Sequence, residues 1–107
     1  MNKIFRQGDV LIVQIDEMPQ GAVKAKPQTR VTLAHGEVTG HAHVLVAGQS
    51  AILPYTIQDR TDELFFELMD DAFIQHEEHA AIALPAGMYR VVRQREYTPQ
   101  EIRRVAD

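Results

Sequence analysis

Three of the five histidines in the chain fall within residues 35–43, next to a glutamate. Successive side chains of a β-strand point to opposite faces, so His41 and His43 on one strand would project to the same side, with about 7 Å between their Cα atoms. Two imidazoles at this spacing can bind one metal ion. Glu37 precedes them in a segment with two glycines, which would let a turn bring its carboxylate back toward the imidazoles.

A second cluster, H-E-E-H at residues 76–79, lies between two predicted strands. If this segment forms a tight turn, its two histidines approach within about 7 Å of each other, whereas on a straight strand they would point to opposite faces. The predicted metal ligands are the histidines of both clusters: His41, His43, His76 and His79. The carboxylates that could supply a further ligand or a catalytic base are Glu37, Glu77 and Glu78. Zinc is the plainest choice of metal, although manganese, nickel and ferrous iron accept the same ligands.

Two other interpretations of the histidines stay open. Histidines in polar turns and on strand edges are often only solvated, in which case their role is structural. Alternatively, one neutral and one protonated imidazole could act as base and acid without a metal near neutral pH. No lysine or arginine adjoins His41 or His43 in the sequence to hold a phosphate.

Several chemistries are excluded by composition. The chain has no cysteine, so disulfides, thiolate ligands and thiol nucleophiles are absent. Ser50, its only serine, lies in G-Q-S-A-I, which lacks the second glycine of a nucleophile elbow, and no glycine-rich phosphate-binding loop precedes a helix. Serine hydrolases and P-loop NTPases are therefore excluded.

Three arginines near the C-terminus form a further cluster. Arg93 and Arg95 would share one strand face and could bind an anion or a partner. The alternative is that these residues and Arg90 pair across strands with the acidic segment 59–78, which carries eight acidic residues.

Short strands are the elements that would position these side chains. Residues 10–15, V-L-I-V-Q-I, are apolar on both faces, which is typical of a buried strand. On the strand at residues 41–47, the face opposite the histidines carries Ala42, Val44 and Val46, so the histidine face need not be the buried one. Pro54 restricts its strand to an edge or an end. The remaining predicted strands are residues 30–33, 50–55, 62–69, 72–76, 80–84 and 88–97.

Thr98, Pro99 and Glu101 provide an N-cap hydroxyl, a proline at the first helical position and a capping-box glutamate, which predict a short helix over residues 99–105. The sequence thus predicts one all-β domain over residues 1–107, a barrel or sandwich with a short C-terminal helix. The H-x-H spacing invites comparison with cupins. The cupin glutamate is missing after His43, so the cupin catalytic set does not transfer, and a cupin-like architecture is an analogy.

The net charge of −4 and the lack of a long basic stripe make non-specific nucleic-acid binding an unlikely role. No signal-peptide core or apolar membrane span is evident, so we expect a soluble, cytoplasmic protein without membrane contact.

The chain resembles a family of small uncharacterised bacterial and phage proteins. The resemblance rests on R-Q-G-D-V at residues 6–10, G-E-V-T-G-H-A-H at 36–43, H-E-E-H at 76–79 and L-P-A-G-M-Y-R-V-V-R-Q-R-E-Y at 84–97, and it spans nearly the full length. It implies a bacterial or phage cytosolic setting and joint use of the two histidine clusters, without a mechanism.

The leading hypothesis is a small cytosolic β protein that binds a transition metal through both clusters, with metal-dependent hydrolysis of an ester or phosphoester if one coordination position is open. A closed four-histidine site would be structural. The alternative is a non-catalytic interaction module, an inhibitor or accessory factor in phage–host conflict. The sequence does not decide whether the protein is an enzyme, which small molecule or protein it binds, or whether it forms homo-oligomers.

Overall fold

The computed structural model describes residues 3–35, 41–58, 60 and 63–93, and in these residues the chain is all-β. The strands of this part of the chain are β1 (Ile4–Gln7), β2 (Val10–Ile15), β3 (Ala22–Lys24), β4 (Arg30–His35), β5 (Ala42–Ala47), β6 (Ile52–Ile57), β7 (Leu64–Leu68), β8 (Ala72–Gln75), β9 (Ile82–Leu84) and β10 (Gly87–Arg93). The predicted all-β class is confirmed, and the helix predicted over residues 99–105 lies outside the described residues. The described chain includes no helix long and apolar enough to cross a membrane.

The strands form two antiparallel sheets. The larger sheet has the order β1-β2-β10-β7-β6-β3, and the smaller has the order β4-β5-β8-β9. Each order ends in strands that pair on one side only within the described residues, so the sheets do not close into a barrel there. The cupin-like architecture stays a prediction.

One hydrophobic core takes side chains from both sheets. Ile12 and Tyr89 from the larger sheet are fully buried with Leu45 and Ile74 from the smaller sheet. The Tyr89 ring packs at 5.3 Å, centroid to centroid, from that of Phe66. Its hydroxyl donates a hydrogen bond to the Pro85 carbonyl, which satisfies the only polar group that this side chain brings into the core.

Strand β7 lies within the segment 62–69, for which the sequence predicts a strand. Phe65 and Phe66 are consecutive, and both are buried. Consecutive residues of a strand point to opposite faces, so the larger sheet is covered on both sides at this position. The strand interpretation of this segment is confirmed. Strands β1 and β3 were not predicted from the sequence.

Pro54 lies inside β6, which pairs with both β7 and β3, and the expectation of an edge or strand end is wrong. The Pro54 carbonyl accepts a hydrogen bond from the Ala25 N–H at 2.8 Å, just beyond the end of β3. Because the N and O of one residue point to the same side in antiparallel pairing, the missing N–H faces a place where the ladder with β3 has ended.

The face of β5 that carries His43 is the buried one. The sequence pattern had left open which face of this strand is buried. His43 is 2% exposed and Leu45 is fully buried, whereas Ala42, Val44 and Val46 are half-buried. A β-bulge in β4 lies opposite His43, between Thr32 and Ala34. A histidine buried in this way needs polar partners inside the core.

Candidate metal centre

The side-chain amide of Gln7, at the end of β1, connects the two sheets. Its Nε2 donates hydrogen bonds to the carbonyls of Ile74 at 3.1 Å and Ala80 at 2.9 Å, the residues that flank the H-E-E-H turn. Its Oε1 lies 2.8 Å from Nδ1 of His43. One buried amide therefore holds both ends of the turn and the buried histidine of the other cluster.

These contacts determine the tautomer of His43. Because the Gln7 NH₂ group faces two carbonyls, the atom facing His43 must be the amide oxygen, an acceptor. His43 Nδ1 therefore carries a proton, and this N–H donates a hydrogen bond to Gln7 Oε1. The ring's Nε2, which lies 3.8 Å from Asp9 Oδ1, is left with a lone pair when the ring is neutral. A histidine whose Nδ1–H is held by a carbonyl oxygen is the usual form of a metal-binding imidazole.

The two predicted histidine clusters lie side by side. Ring centroids are 4.3 Å apart between His43 and His76, 4.6 Å between His76 and His79, and 5.8 Å between His43 and His79. His41 joins the group through His76, with 5.7 Å between their centroids. The structure thus brings together all four histidines predicted as ligands.

Within the described residues, three side chains present ligand atoms that all lie within 4.8 Å of one another: His41, His76 and Glu77. The four rings are neighbours, but they do not converge on one point as a closed four-nitrogen shell requires. The geometry favours two imidazoles and a carboxylate, with His43 and His79 packed against them.

Glu77 is held in place by the start of β5. Its Oε1 accepts the Ala42 N–H at 3.0 Å, which joins the H-E-E-H turn to the residue after His41. This N–H, followed by the N–H of Glu77 itself, lowers the pKa of the Glu77 carboxyl, and the nearby His41 and His76 add to the effect. A lowered pKa keeps the side chain ionised down to a lower pH than usual, as a carboxylate ligand must be.

His76 is engaged within its own turn. Its Nδ1 accepts the Glu78 N–H at 2.9 Å, so the neutral ring carries its proton on Nε2. A metal ion that binds Nδ1 replaces this hydrogen bond, and one that binds Nε2 requires the proton to move to Nδ1. Metal binding at His76 therefore changes the contacts of the Glu78 N–H in either case. The Glu78 carboxylate is exposed, with Oε1 at 3.7 Å from His41 Nδ1.

The hairpin turn between β1 and β2 supplies a surface against which the imidazoles pack. Gly8 has a φ of +62°, as the first position of a type II′ turn requires. A Cβ at this position would lie 2.8 Å from His79 Nε2 and 3.3 Å from His43 Cε1. Glycine is needed both for the backbone conformation and for the close approach of the two rings.

The other predicted site residues fall elsewhere. Arg93 lies at the end of β10, where its Cα pairs with that of Val10 in β2. Glu37 and Arg95 lie outside the described residues, and their proposed roles stay predictions.

Sequence reasoning missed the contribution of residues 7–9. Gln7 follows Phe5 on the inward face of β1, so a polar residue at an apolar position was a usable signal once β1 was known. The R-Q-G-D-V motif also pointed to this turn, although nothing in its residue types indicated that it meets the histidines.

The Gln7 amide is the first feature to test. Gln7→Met keeps the length of the side chain but leaves His43 Nδ1 and two carbonyls without their partner, so we expect a loss of about 3 kcal/mol in the free energy of unfolding. Gln28→Met, at an exposed glutamine, should change it by less than about 0.5 kcal/mol. Urea unfolding measures both variants, and equal losses would contradict the role assigned to Gln7.

The Gly8 turn is tested against a second glycine. Gly21 also has a positive φ, +89°, but nothing lies within 4 Å of a Cβ placed there. Alanine at either position should cost about 1–2 kcal/mol through backbone strain. Only Gly8→Ala should also shift the imidazole NMR signals of His79 and His43, because only there does the new methyl group meet the rings. Unchanged imidazole signals in Gly8→Ala would contradict the contact.

No curated protein and no solved structure matches the chain. A family model described as a domain of unknown function, DUF8820, matches residues 6–94, a range that contains the Gln7 turn and both histidine clusters. The chain therefore belongs to the DUF8820 family.

Proposed function

We propose that this protein binds a divalent transition metal ion, with zinc foremost, through His41, His76 and Glu77. The observation that supports the proposal is the approach of these ligand atoms to within 4.8 Å of one another, although they come from segments far apart in the chain. Two imidazoles and a carboxylate are a ligand set of catalytic zinc sites and of non-haem iron sites, and they leave coordination positions open.

The surrounding residues suit this role. His43 is buried, carries its proton on Nδ1 and packs directly against His76, so it orients the second ligand or adds a nitrogen to the shell. The His79 ring lies next to both His43 and His76 and could do the same. All four histidines therefore belong to the proposed centre. His41, His76 and Glu77 are its metal ligands, because their ligand atoms lie closest together.

An open coordination position makes hydrolysis the reaction class we propose. When bound, a divalent ion would supply an activated water molecule and polarise a phosphoryl or carbonyl oxygen. As this water added to the phosphorus or carbonyl carbon and the bond to the leaving oxygen broke, Glu78 would take up the water proton and pass it to the leaving alkoxide. Glu78 suits this role because its carboxylate is exposed beside His41. We also propose Glu37 as an alternative catalytic base.

The cytoplasm is the compartment we propose, on the sequence alone. The alternative function is a non-catalytic interaction module, for which the metal, if bound, would be structural. Metal content and turnover distinguish these functions.

Metal binding is tested first. Protein purified without a histidine tag should contain one zinc ion per chain by elemental analysis. His41→Ala and Glu77→Gln should each weaken zinc binding, measured calorimetrically, by more than the roughly 10- to 100-fold that outer-shell changes cost. His35→Ala removes an exposed histidine outside the ligand group and should bind zinc as the parent does. A parent protein that neither contains nor binds zinc would contradict the metal proposal.

Hydrolysis is tested on the metal-loaded protein. Zinc-loaded protein should hydrolyse 4-nitrophenyl phosphate or acetate, and EDTA should abolish the activity. Glu78→Gln should lower kcat by roughly 10²- to 10⁴-fold while zinc stoichiometry stays the same, because Glu78 is not among the three proposed ligands. Full zinc content without turnover, with EDTA lowering only the melting temperature, would favour the structural role.

A further inference from the structure

A cavity of about 230 Å³ opens beside the proposed metal ligands. Its lining residues are Arg30, Ala42, Val44, Gln75, His76 and Glu77. Pockets for drug-sized ligands are typically roughly 300–1,000 Å³, so this cavity suits a small molecule or one end of a larger one. Two proposed metal ligands form one wall.

The register of the smaller sheet places Arg30 at the other end of this cavity. Val44 and Val46 lie on the outward face of β5, opposite to the face of His43. The Cα of Arg30 pairs with that of Val46, and directly paired residues point to the same face. Val46 is four residues from Ala42, which corresponds to about 14 Å along the strand. Arg30 therefore lines the cavity at the end away from His76 and Glu77.

Of the lining residues that the structure describes, Arg30 is the one arginine or lysine. Among the described residues, no acidic side chain lies within ion-pairing distance of its guanidinium. An exposed arginine without an acidic partner can use its planar, forked donors to bind two oxygens of an anion.

We propose that this cavity binds the phosphate group of a phosphate monoester, between the Arg30 guanidinium and the metal ion held at His41, His76 and Glu77. The inference rests on the proposed metal site and assigns its substrate class. A phosphate monoester has three non-bridging oxygens, so it can give two to the guanidinium and one to the metal. A carboxylate has two oxygens, and a bidentate contact with Arg30 uses both.

The charges make this binding depend on the metal. Without a metal ion, the ionised Glu77 carboxylate faces the cavity and repels an anion. A divalent cation held there would reverse the charge of that wall, so that a bound phosphate would lie between two positive groups.

The experiment uses phenylphosphonate, a phosphate-monoester analogue whose P–C bond is not hydrolysed, and benzoate as its carboxylate counterpart. Calorimetry should show binding of phenylphosphonate to the zinc-loaded protein and at least roughly tenfold weaker binding of benzoate. Arg30→Gln should weaken phenylphosphonate binding by at least roughly tenfold, the loss expected for charge-assisted hydrogen bonds, and Arg30→Lys should fall between the two proteins. Arg90→Gln, at an exposed arginine of the other sheet, should bind as the parent does.

Zinc affinity is measured on the same samples, and it should be equal in the parent and in Arg30→Gln because Arg30 is not a ligand. Normal zinc binding with no phenylphosphonate binding, or with equal binding by parent and Arg30→Gln, overturns this inference and leaves the metal site standing. Equal affinity for benzoate overturns the assignment to phosphate. Failure of the parent to bind zinc overturns the proposed function and this inference with it.

Discussion

The Gln7 side-chain amide is the interaction on which the arrangement of the centre depends. It satisfies the carbonyls on both sides of the H-E-E-H turn and accepts a hydrogen bond from His43, and its contacts with Ile74 and His43 are buried. No smaller polar side chain could reach three partners on two strands and a turn. A buried histidine without such a partner would be costly, so the amide both permits His43 inside the core and fixes which nitrogen it offers.

The two faces of β5 differ in the side chains that they present. The inward face of the strand offers an oriented, buried imidazole. Its outward face is apolar, and the groups that could meet a metal ion are His41, just before the strand, and His76 and Glu77 in the adjoining turn. His76 is common to both sides, because it packs on His43 and also belongs to the group with His41 and Glu77. The centre therefore has a rigid inner part, tied to the core, and an outer part open to solvent.

Much of the fold could be predicted from local patterns, and the histidines were identified by type and spacing alone. The run at residues 10–15 and the paired phenylalanines of β7 indicate strands because burial on both faces leaves a distinct signature. The burial of His43 could not be predicted, because Ala42, Val44 and Val46 also form an apolar face and only the packing of two sheets selects between them. Gln7 was missed for the same reason, because its hydrogen-bond partners are distant in the sequence and meet it only when the two sheets pack.

The distribution of the centre along the chain has a consequence for folding. Gln7 and Gly8 come from the first hairpin, His41 and His43 from the middle of the chain, and the H-E-E-H turn from a later hairpin of the other sheet. Contacts so far apart form late, after the entropy of closing long loops has been overcome. A nascent chain that lacks the last of these hairpins therefore has no assembled centre, and a metal ion bound there would enter a scaffold that has already folded, unlike a zinc finger, whose folding the metal drives.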